Sequence, residues 1–253
     1  MSAAIGDAYD RSADAWRSGP AGLYAVLAGA LLDRAPIDVA GGSVLDAGAG
    51  SGVAGDAARA RGAVRVVGVD LAPAMLSGTR GGVAADLVSL PFRDRTFDLA
   101  VAAFSIGHVT DPASALTELR RVAPALLVSA FAAAWTHPAK DVVERVLVEH
   151  GYRPPAWYRG FKDGTERQVG DPDRLVALAT GAGYRDVEVA RRDVATGLSA
   201  PADLVAWRLG MAHHAPFVAG LAPGERVEVA TEAEALLAGA PEVVVPMLVL
   251  TGT

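Results

Sequence analysis

Between Val44 and Gly52 the chain reads Val-Leu-Asp-Ala-Gly-Ala-Gly-Ser-Gly, and this stretch restricts the fold more than any other. A short apolar strand, Ser43 to Asp46, ends in an acid. A glycine cluster follows, Gly48, Gly50 and Gly52, and an Ala/Arg-rich helix then runs to about Arg61. Glycines let the backbone take positive φ and approach a ligand closely. The helix N-terminus offers unpaired N–H groups to a carboxylate or phosphate. Strand, turn and helix together form a cradle.

The same alternation continues downstream. Arg65 to Val69 reads as a strand ended by Asp70, and Pro73 opens a helix at its first turn, where a missing N–H costs nothing. Gly82 to Ala85 is a strand closed by Asp86, and Phe97 to Ala103 is another. Asp111-Pro112 starts the helix carrying Glu118, Arg120 and Arg121, and Ala125 to Phe131 is a fifth strand. After Trp135 the pattern changes. His137 to His150 reads as a helix, and Tyr152 to Gly164, rich in Pro, Gly and aromatics, as a loop or lid. A helix at Asp173 to Thr180, a strand at Tyr184 to Arg191, helices at Ala202 to Ala212 and Pro223 to Leu237, and a last strand at Val243 to Leu250 complete the chain. Ahead of the first strand, Ala3 to Trp16 and Ala21 to Leu32 are helical by their apolar spacing, separated by Gly19-Pro20. The expectation is one α/β domain, doubly wound around a mostly parallel seven-stranded sheet, with N-terminal helices and a small inserted cap.

Composition excludes several classes. The 253 residues carry a net charge of -6, and the only lysines are Lys140 and Lys162. The arginines are scattered, so there is no basic stripe and no nucleic-acid partner is expected. No cysteine occurs, which removes disulfides, thiolate metal sites and cysteine nucleophiles and fits a cytoplasmic protein. Met1 to Asp10 lacks a basic stretch followed by an apolar core, so no secretory leader is expected. The longest apolar stretch, Val122 to Trp135, is too short to span a bilayer, and no membrane partner is expected.

The glycine loop by itself suits two ligands. Gly50-Ser51-Gly52-Val53-Ala54-Gly55 is a literal G-x-G-x-x-G, and Asp70 lies twenty residues after Gly50, as in a nicotinamide dinucleotide site. Three features weigh against that reading. Asp46 aims a carboxylate into the cradle, which would repel a pyrophosphate and attract an ammonium. Some forty largely helical residues precede the first strand. A further acid, Asp86, ends the third strand ahead of Leu90-Pro91-Phe92 and is able to accept from an adenine amino group.

Asp46-Ala47-Gly48-Ala49-Gly50-Ser51-Gly52, then Asp70-Leu71-Ala72-Pro73-Ala74-Met75-Leu76, then Asp86 with Leu90-Pro91-Phe92 and Phe97-Asp98-Leu99, resemble successive motifs of class I S-adenosylmethionine-dependent methyltransferases. Ser105 to Pro112 and Glu118 to Val122 extend the likeness, which covers roughly residues 40 to 130. It is close to the ubiquinone/menaquinone-type, small-molecule branch (methyltransferase type 11). The resemblance implies a Rossmann-like methyltransferase fold, with S-adenosyl-L-methionine as cofactor, S-adenosyl-L-homocysteine as product, no metal, and a small-molecule acceptor of the kind met in secondary metabolism. It divides the single domain, 1–253, into an N-terminal helical lid at 1–40, a cofactor-binding core at 41–135, a cap insertion at 136–170, and a remainder at 171–253 that completes the sheet and the substrate side. Ala47, Gly48, Gly50, Ser51 and Gly52 would carry the methionine portion, with Asp46 near its ammonium. Asp70 would accept from both ribose hydroxyls. Leu71 and Met75 would pack on adenine, and Asp86 with Leu87 would read its edge. Phe104 and Ser105 would lie beside the sulfonium, and Tyr9 and Trp16 would cover the cofactor.

Methyl transfer is an in-line displacement at an activated carbon, so the protein must align the nucleophile, exclude water and, where needed, accept a proton. His108, just past the fourth strand, and His137, after the fifth, are the candidate catalytic bases; the alternative reading of His108 is a packing or orienting residue. His213-His214 reads as a helix end, and no ligand spacing supports a metal. Trp135, Trp157, Tyr158, Phe161 and Trp207 are the candidate substrate wall. Tyr158-x-x-x-Lys162 matches a short-chain dehydrogenase spacing, but Gly160 and Pro154-Pro155 argue against a helix holding both groups on one face. The Asn/Asp-Pro-Pro-Tyr motif of enzymes that methylate DNA-base amines is absent. A protein of this fold that binds the cofactor but catalyses a non-methylating reaction, such as cyclisation, or serves as a binding partner, would show the same motifs.

Overall fold

The computed structural model describes residues 2–253; Met1, the first residue of the expected lid and of the stretch read as lacking a leader, lies outside the described residues. Helices α1 (Ser2–Ser18) and α2 (Pro20–Leu32) lead into β1 (Ser43–Ala47), followed by α3 (Val53–Ala60), β2 (Arg65–Asp70), β3 (Gly82–Ala84), β4 (Leu99–Ala103), α4 (Pro112–Val122) and β5 (Ala125–Phe131). Then come α5 (Pro138–Glu149), α6 (Ala156–Asp163), α7 (Thr165–Val169), α8 (Pro172–Gly181), β6 (Glu188–Ala195), α9 (Pro201–Leu209), α10 (Ala215–Gly220), α11 (Pro223–Leu236) and β7 (Val244–Gly252).

The seven strands form one sheet in the order β3-β2-β1-β4-β5-β7-β6. All neighbours from β3 to β5 pair in parallel, and β7 runs antiparallel to both β5 and β6. The mostly parallel sheet therefore stands as expected. The chain winds outward from β1 to β3, then returns to lay β4 on the other side of β1. That reversal opens a crevice at the carboxyl ends of β1 and β4, where such sheets bind ligands.

Helices cover both faces, so the central strands are apolar on both sides. Along each strand alternate residues serve opposite layers. Val44, Val101 and Leu127 pack with Leu27 and Leu31 of α2, Val143 and Leu147 of α5, Leu204 of α9 and Val229 of α11. Leu45, Ala100, Leu126 and Val128 pack with Leu116 and Leu119 of α4 and Leu175 of α8. Each fully buried leucine contributes about 1.5–3 kcal/mol. Helix starts repeat one device: Asp111 accepts from Ser114 N–H (3.0 Å) with Pro112 next, and Asp171 from Arg174 N–H (3.1 Å) with Pro172 next. An Asp cap satisfies an end N–H, and the proline has none to satisfy.

The structure departs from the sequence reading in four places. No helix follows Pro73; the N–H groups of Met75, Leu76 and Ser77 bond three residues back, to Ala72, Pro73 and Ala74. The cause is α1. Arg17 Nη2 takes the carbonyls of Ala74 (2.5 Å) and Ser77 (3.3 Å), and Asp10 takes the Ala74 N–H (2.7 Å). The Ala74 and Ser77 carbonyls, which an α-helix would pair internally, are thus held by α1. Within the expected loop Tyr152–Gly164, α6 is helical, because Pro154 and Pro155 lie ahead of its first turn, where prolines are tolerated. Tyr158 and Lys162 therefore do lie one helical turn apart, contrary to the expectation. Strand β6 begins at Glu188 rather than Tyr184, whose side chain is buried beneath Arg120. It is an edge strand, and Arg191, Arg192 and Asp193 keep it exposed. The short helices α7 and α10 are additions to the expected elements. No helix among the described residues is long and apolar enough to cross a membrane.

Candidate active site at the carboxyl edge of the sheet

The β1–α3 turn closes tightly over the sheet. Gly48, at φ +72°, lies so close to the β4 end that a Cβ there would meet Ser105 Cβ at 2.3 Å. Ser105 Oγ donates to Ala47 O at 2.6 Å, tying the ends of β1 and β4 together. Phe104, beside it, holds φ 55° although it is not glycine. Its N–H is fixed by Ser129, O at 3.1 Å and Oγ at 3.2 Å, so the neighbouring strand maintains this left-handed turn.

Three strand-end carboxylates face the resulting cavity, which encloses about 1030 Å³ including its mouth. Asp46 is 1% exposed; its Oδ2 accepts from Gly55 N–H at 2.7 Å, and its Oδ1 has no donor. Burial pushes its pKa up to about 7, against the opposing pull of the Gly55 N–H. Asp70 accepts from Gly50 N–H (2.8 Å) and Ala72 N–H (2.9 Å), which pins the glycine turn to β2. Burial raises its pKa, and those two N–H groups restrain the rise. Asp86 accepts from Val88 N–H at 3.2 Å. Helix α1 roofs the cavity with Tyr9 and Trp16, whose rings meet edge to face at 5.5 Å.

A second cavity, about 1210 Å³ with its mouth, adjoins the first. Tyr9, Tyr24 and His108 line both, and so form the wall between them. His108 stacks on Phe161 of α6 at 4.3 Å, and its Nε2 lies 3.3 Å from Tyr9 Oη. Burial holds its pKa down to about 4, so the ring is neutral at pH 7. Beyond it, Phe131, Trp135 and Trp207 form a stacked series with centroid separations of 5.1 and 6.2 Å. Tyr158 lies flat on His213 at 3.8 Å. Thr165 Oγ1 donates to Gly107 O and ties α7 to the turn that carries His108.

Residues 45–124 match the family model of a methyltransferase domain. The demethylmenaquinone methyltransferase of Clavibacter sepedonicus is 35% identical over 127 residues, 47% of this chain and 50% of that protein. The chain thus spans about half the length of this curated relative. Among solved structures, one described as a methyltransferase from an antibiotic biosynthesis pathway of Anabaena variabilis superposes with a TM-score of 0.60, at 16% identity, over 90% of this chain and 96% of that one. The Haemonchus contortus phosphoethanolamine N-methyltransferase 2 in complex with S-adenosyl-L-methionine superposes with a TM-score of 0.53, at 16% identity, over 90% of this chain and 52% of that one. These likenesses support a class I S-adenosylmethionine-dependent methyltransferase of the type 11 branch, with the family match confined to residues 45–124.

Most of the residues that resemblance to this family singled out line the first cavity: Tyr9, Trp16, Asp46, Gly48, Gly50, Ser51, Asp70, Leu71, Met75, Asp86, Leu87, Phe104 and Ser105. Two do not. Ala47 is fully buried within β1, and its carbonyl is taken by Ser105. Gly52 caps α3 with Thr79 behind it, 3.0 Å from where a Cβ would stand. The five aromatic residues of the expected substrate wall, Trp135, Trp157, Tyr158, Phe161 and Trp207, all line the second cavity.

His137 requires a correction. Its Nδ1 accepts from Ala139 N–H (3.1 Å), so its Nε2 carries the proton and donates to Pro241 O (3.1 Å). Both ring nitrogens serve the start of α5 and the β7 approach, and the residue lines neither cavity. A histidine so engaged has no lone pair left for a substrate proton. Sequence reasoning missed Tyr24, an apolar-helix residue without a local signal, and the charged lining of the second cavity, Lys140, Lys162, Glu166 and Arg208. The scarcity of lysine was the available clue, since both lysines face this space. Among the described residues no cluster of His, Asp and Glu is arranged to hold a metal ion.

Proposed function

We propose that this protein transfers a methyl group from S-adenosylmethionine to an O, N or C atom of a small, apolar or aromatic metabolite bound in the second cavity. The observation that carries this reading is the shared wall: a carboxylate-lined cavity and an aromatic-lined one meet at Tyr9, Tyr24 and His108. The cofactor supplies a methyl group on a positively charged sulfur. The chain fits it. Asp46 Oδ1 is a buried acceptor without a donor, which an ammonium would satisfy, and the Gly48 turn leaves no room for a side chain. Asp70, whose oxygens each keep a lone pair, would hold the ribose hydroxyls. Asp86 and Leu87 would meet the adenine edge, with Leu71 and Met75 on its faces. Helix α1 serves as a lid that excludes water, and α6 with α7 closes the acceptor side as a cap. His108 orients the acceptor and, being neutral at pH 7, offers a lone pair to a proton released there.

Calorimetric titration with S-adenosylmethionine, S-adenosylhomocysteine and NAD(H) tests the reading. Micromolar binding of the first two and none of the dinucleotide is expected; the reverse pattern sinks it. Asp70→Ala should weaken S-adenosylmethionine binding about a hundredfold, the loss of two hydrogen bonds to a charged group. Its unfolding midpoint should fall only a few degrees, as two N–H groups lose their acceptor, and unchanged affinity would remove the ribose assignment. Once an acceptor is found, the product mass separates methylation, a gain of one CH2, from isomerisation, no gain.

A further inference from the structure

The charges of the second cavity are unbalanced. Four cations, Lys140, Lys162, Arg167 and Arg208, line it against two carboxylates, Asp163 and Glu166, in a chain whose net charge is -6. The two carboxylates are already used: Lys162 pairs with Glu166, and Arg167 with Asp163 at 3.2 Å. Lys140 and Arg208 take part in none of the ion pairs among the described residues.

Arg208 is only 4% exposed, and its Nε–H has no acceptor. Its neighbours are neutral. Arg208 Nη2 lies 3.3 Å from His213 Nε2, and a guanidinium only donates, so that nitrogen is the acceptor of an uncharged ring. Burial, His214 and Arg208 hold the His213 pKa well below its ordinary value. Tyr158, on the other side of His213, has its hydroxyl pushed up to about 12, chiefly by burial. Lys140 donates to Trp135 O at 2.8 Å and sits 4.5 Å from the centre of that indole ring, which leaves it two free protons. Burial, then the nearby Lys162 and Arg208, push its pKa down to about 8. Trp207, which lines the same cavity, has a buried indole N–H without an acceptor. A buried cation left unpaired is strongly destabilising, and here Lys140, Arg208 and Trp207 line one aromatic chamber.

We propose that the acceptor molecule is an anion, an aromatic or alicyclic acid whose carboxylate or phosphate is held by Arg208 and Lys140 while its ring lies along Trp135 and Trp207. This names the substrate class of the methyl-transfer reading and rests on it. The aromatic series leads from Trp207 and Trp135 past Phe131 to Tyr24 in the shared wall, so a bound acid would have its far end directed at the first cavity. The charge anchors one end and leaves the other to react.

The test is calorimetry on full-length protein saturated with S-adenosylhomocysteine, using indole-3-carboxylate, 2-naphthoate and 2-naphthyl phosphate against indole-3-carboxamide and 2-naphthamide. At least one acid should bind tenfold or more tightly than its neutral amide. Preference for 2-naphthoate over the phosphate, or the reverse, tells which anion the site takes. Arg208→Gln and Lys140→Gln should each erase the acid preference and leave S-adenosylhomocysteine affinity within twofold. Lys140 is partly exposed, so its variant stays informative if the Arg208 variant does not fold. Amides binding as well as acids, no probe binding, or a Lys140→Gln protein with the preference intact would overturn the proposal. Failure of S-adenosylhomocysteine to bind, with acids still preferred, would overturn the methyl-transfer reading instead.

Discussion

Asp46→Asn is expected to lower S-adenosylmethionine affinity about a hundredfold at pH 7.5, from the lost charge-assisted hydrogen bond, and to raise the melting temperature of the free protein. The two effects share one cause. In the free protein Asp46 is 1% exposed with one oxygen unpaired, and its pKa stands at about 7. The unfolded value is the ordinary one, near 3.8. Between these values the folded state binds a proton more tightly than the unfolded one, so this carboxyl's contribution to stability is lost as pH rises through about 7. The full loss is on the order of 4 kcal/mol above that pH. Asparagine keeps an acceptor for Gly55 N–H and never ionises, so several degrees of melting temperature should return. Binding runs the other way. An ammonium at Oδ1 needs the carboxylate, so wild-type affinity should fall about tenfold per pH unit below pH 7, while the variant should show a flat profile. Calorimetry from pH 5.5 to 7.5 with parallel thermal melts decides it. Equal affinities and parallel pH profiles would mean that no ammonium is bound at Asp46.

The larger effect on folding belongs to Gly48→Ala. The residue sits at φ +72°, where an L side chain costs about 1–2 kcal/mol. Its Cβ would stand 2.3 Å from Ser105 Cβ, itself fixed by the bond to Ala47 O. Overpacking of that kind adds about 1–3 kcal/mol. Together they should lower the melting temperature by roughly 10 °C and abolish detectable cofactor binding, because the ends of β1 and β4 must part. Gly41 separates the two causes. It has φ +73° and nothing within 4 Å of where a methyl group would stand, so Gly41→Ala should show the backbone cost alone, roughly 1 kcal/mol. If the two variants melt together, the contact with Ser105 is not what requires glycine.

The sequence by itself determined the parts of this protein that depend on near neighbours. A strand ending in Asp46, a glycine turn and a helix start occupy consecutive residues, so their chemistry can be read in order. The same holds for Asp70 and Asp86 at the ends of β2 and β3, and for Asp111-Pro112 as a helix start. Strand and helix periods reveal a parallel sheet because each element's burial is local to its own repeat. The direction of β7 is different, since its apolar run reads the same whichever way it lies. Only tertiary structure decided that Arg17 would take the carbonyls of Ala74 and Ser77, which a helix after Pro73 would need for its own pairing. Only there does His137 become a helix cap rather than a base. Lys140, from α5, and Arg208, from α9, stand far apart in sequence, and neither carries a local signal. Their convergence on one aromatic chamber exists only once the helices pack, because a shared cavity is set by which distant side chains occupy the same space.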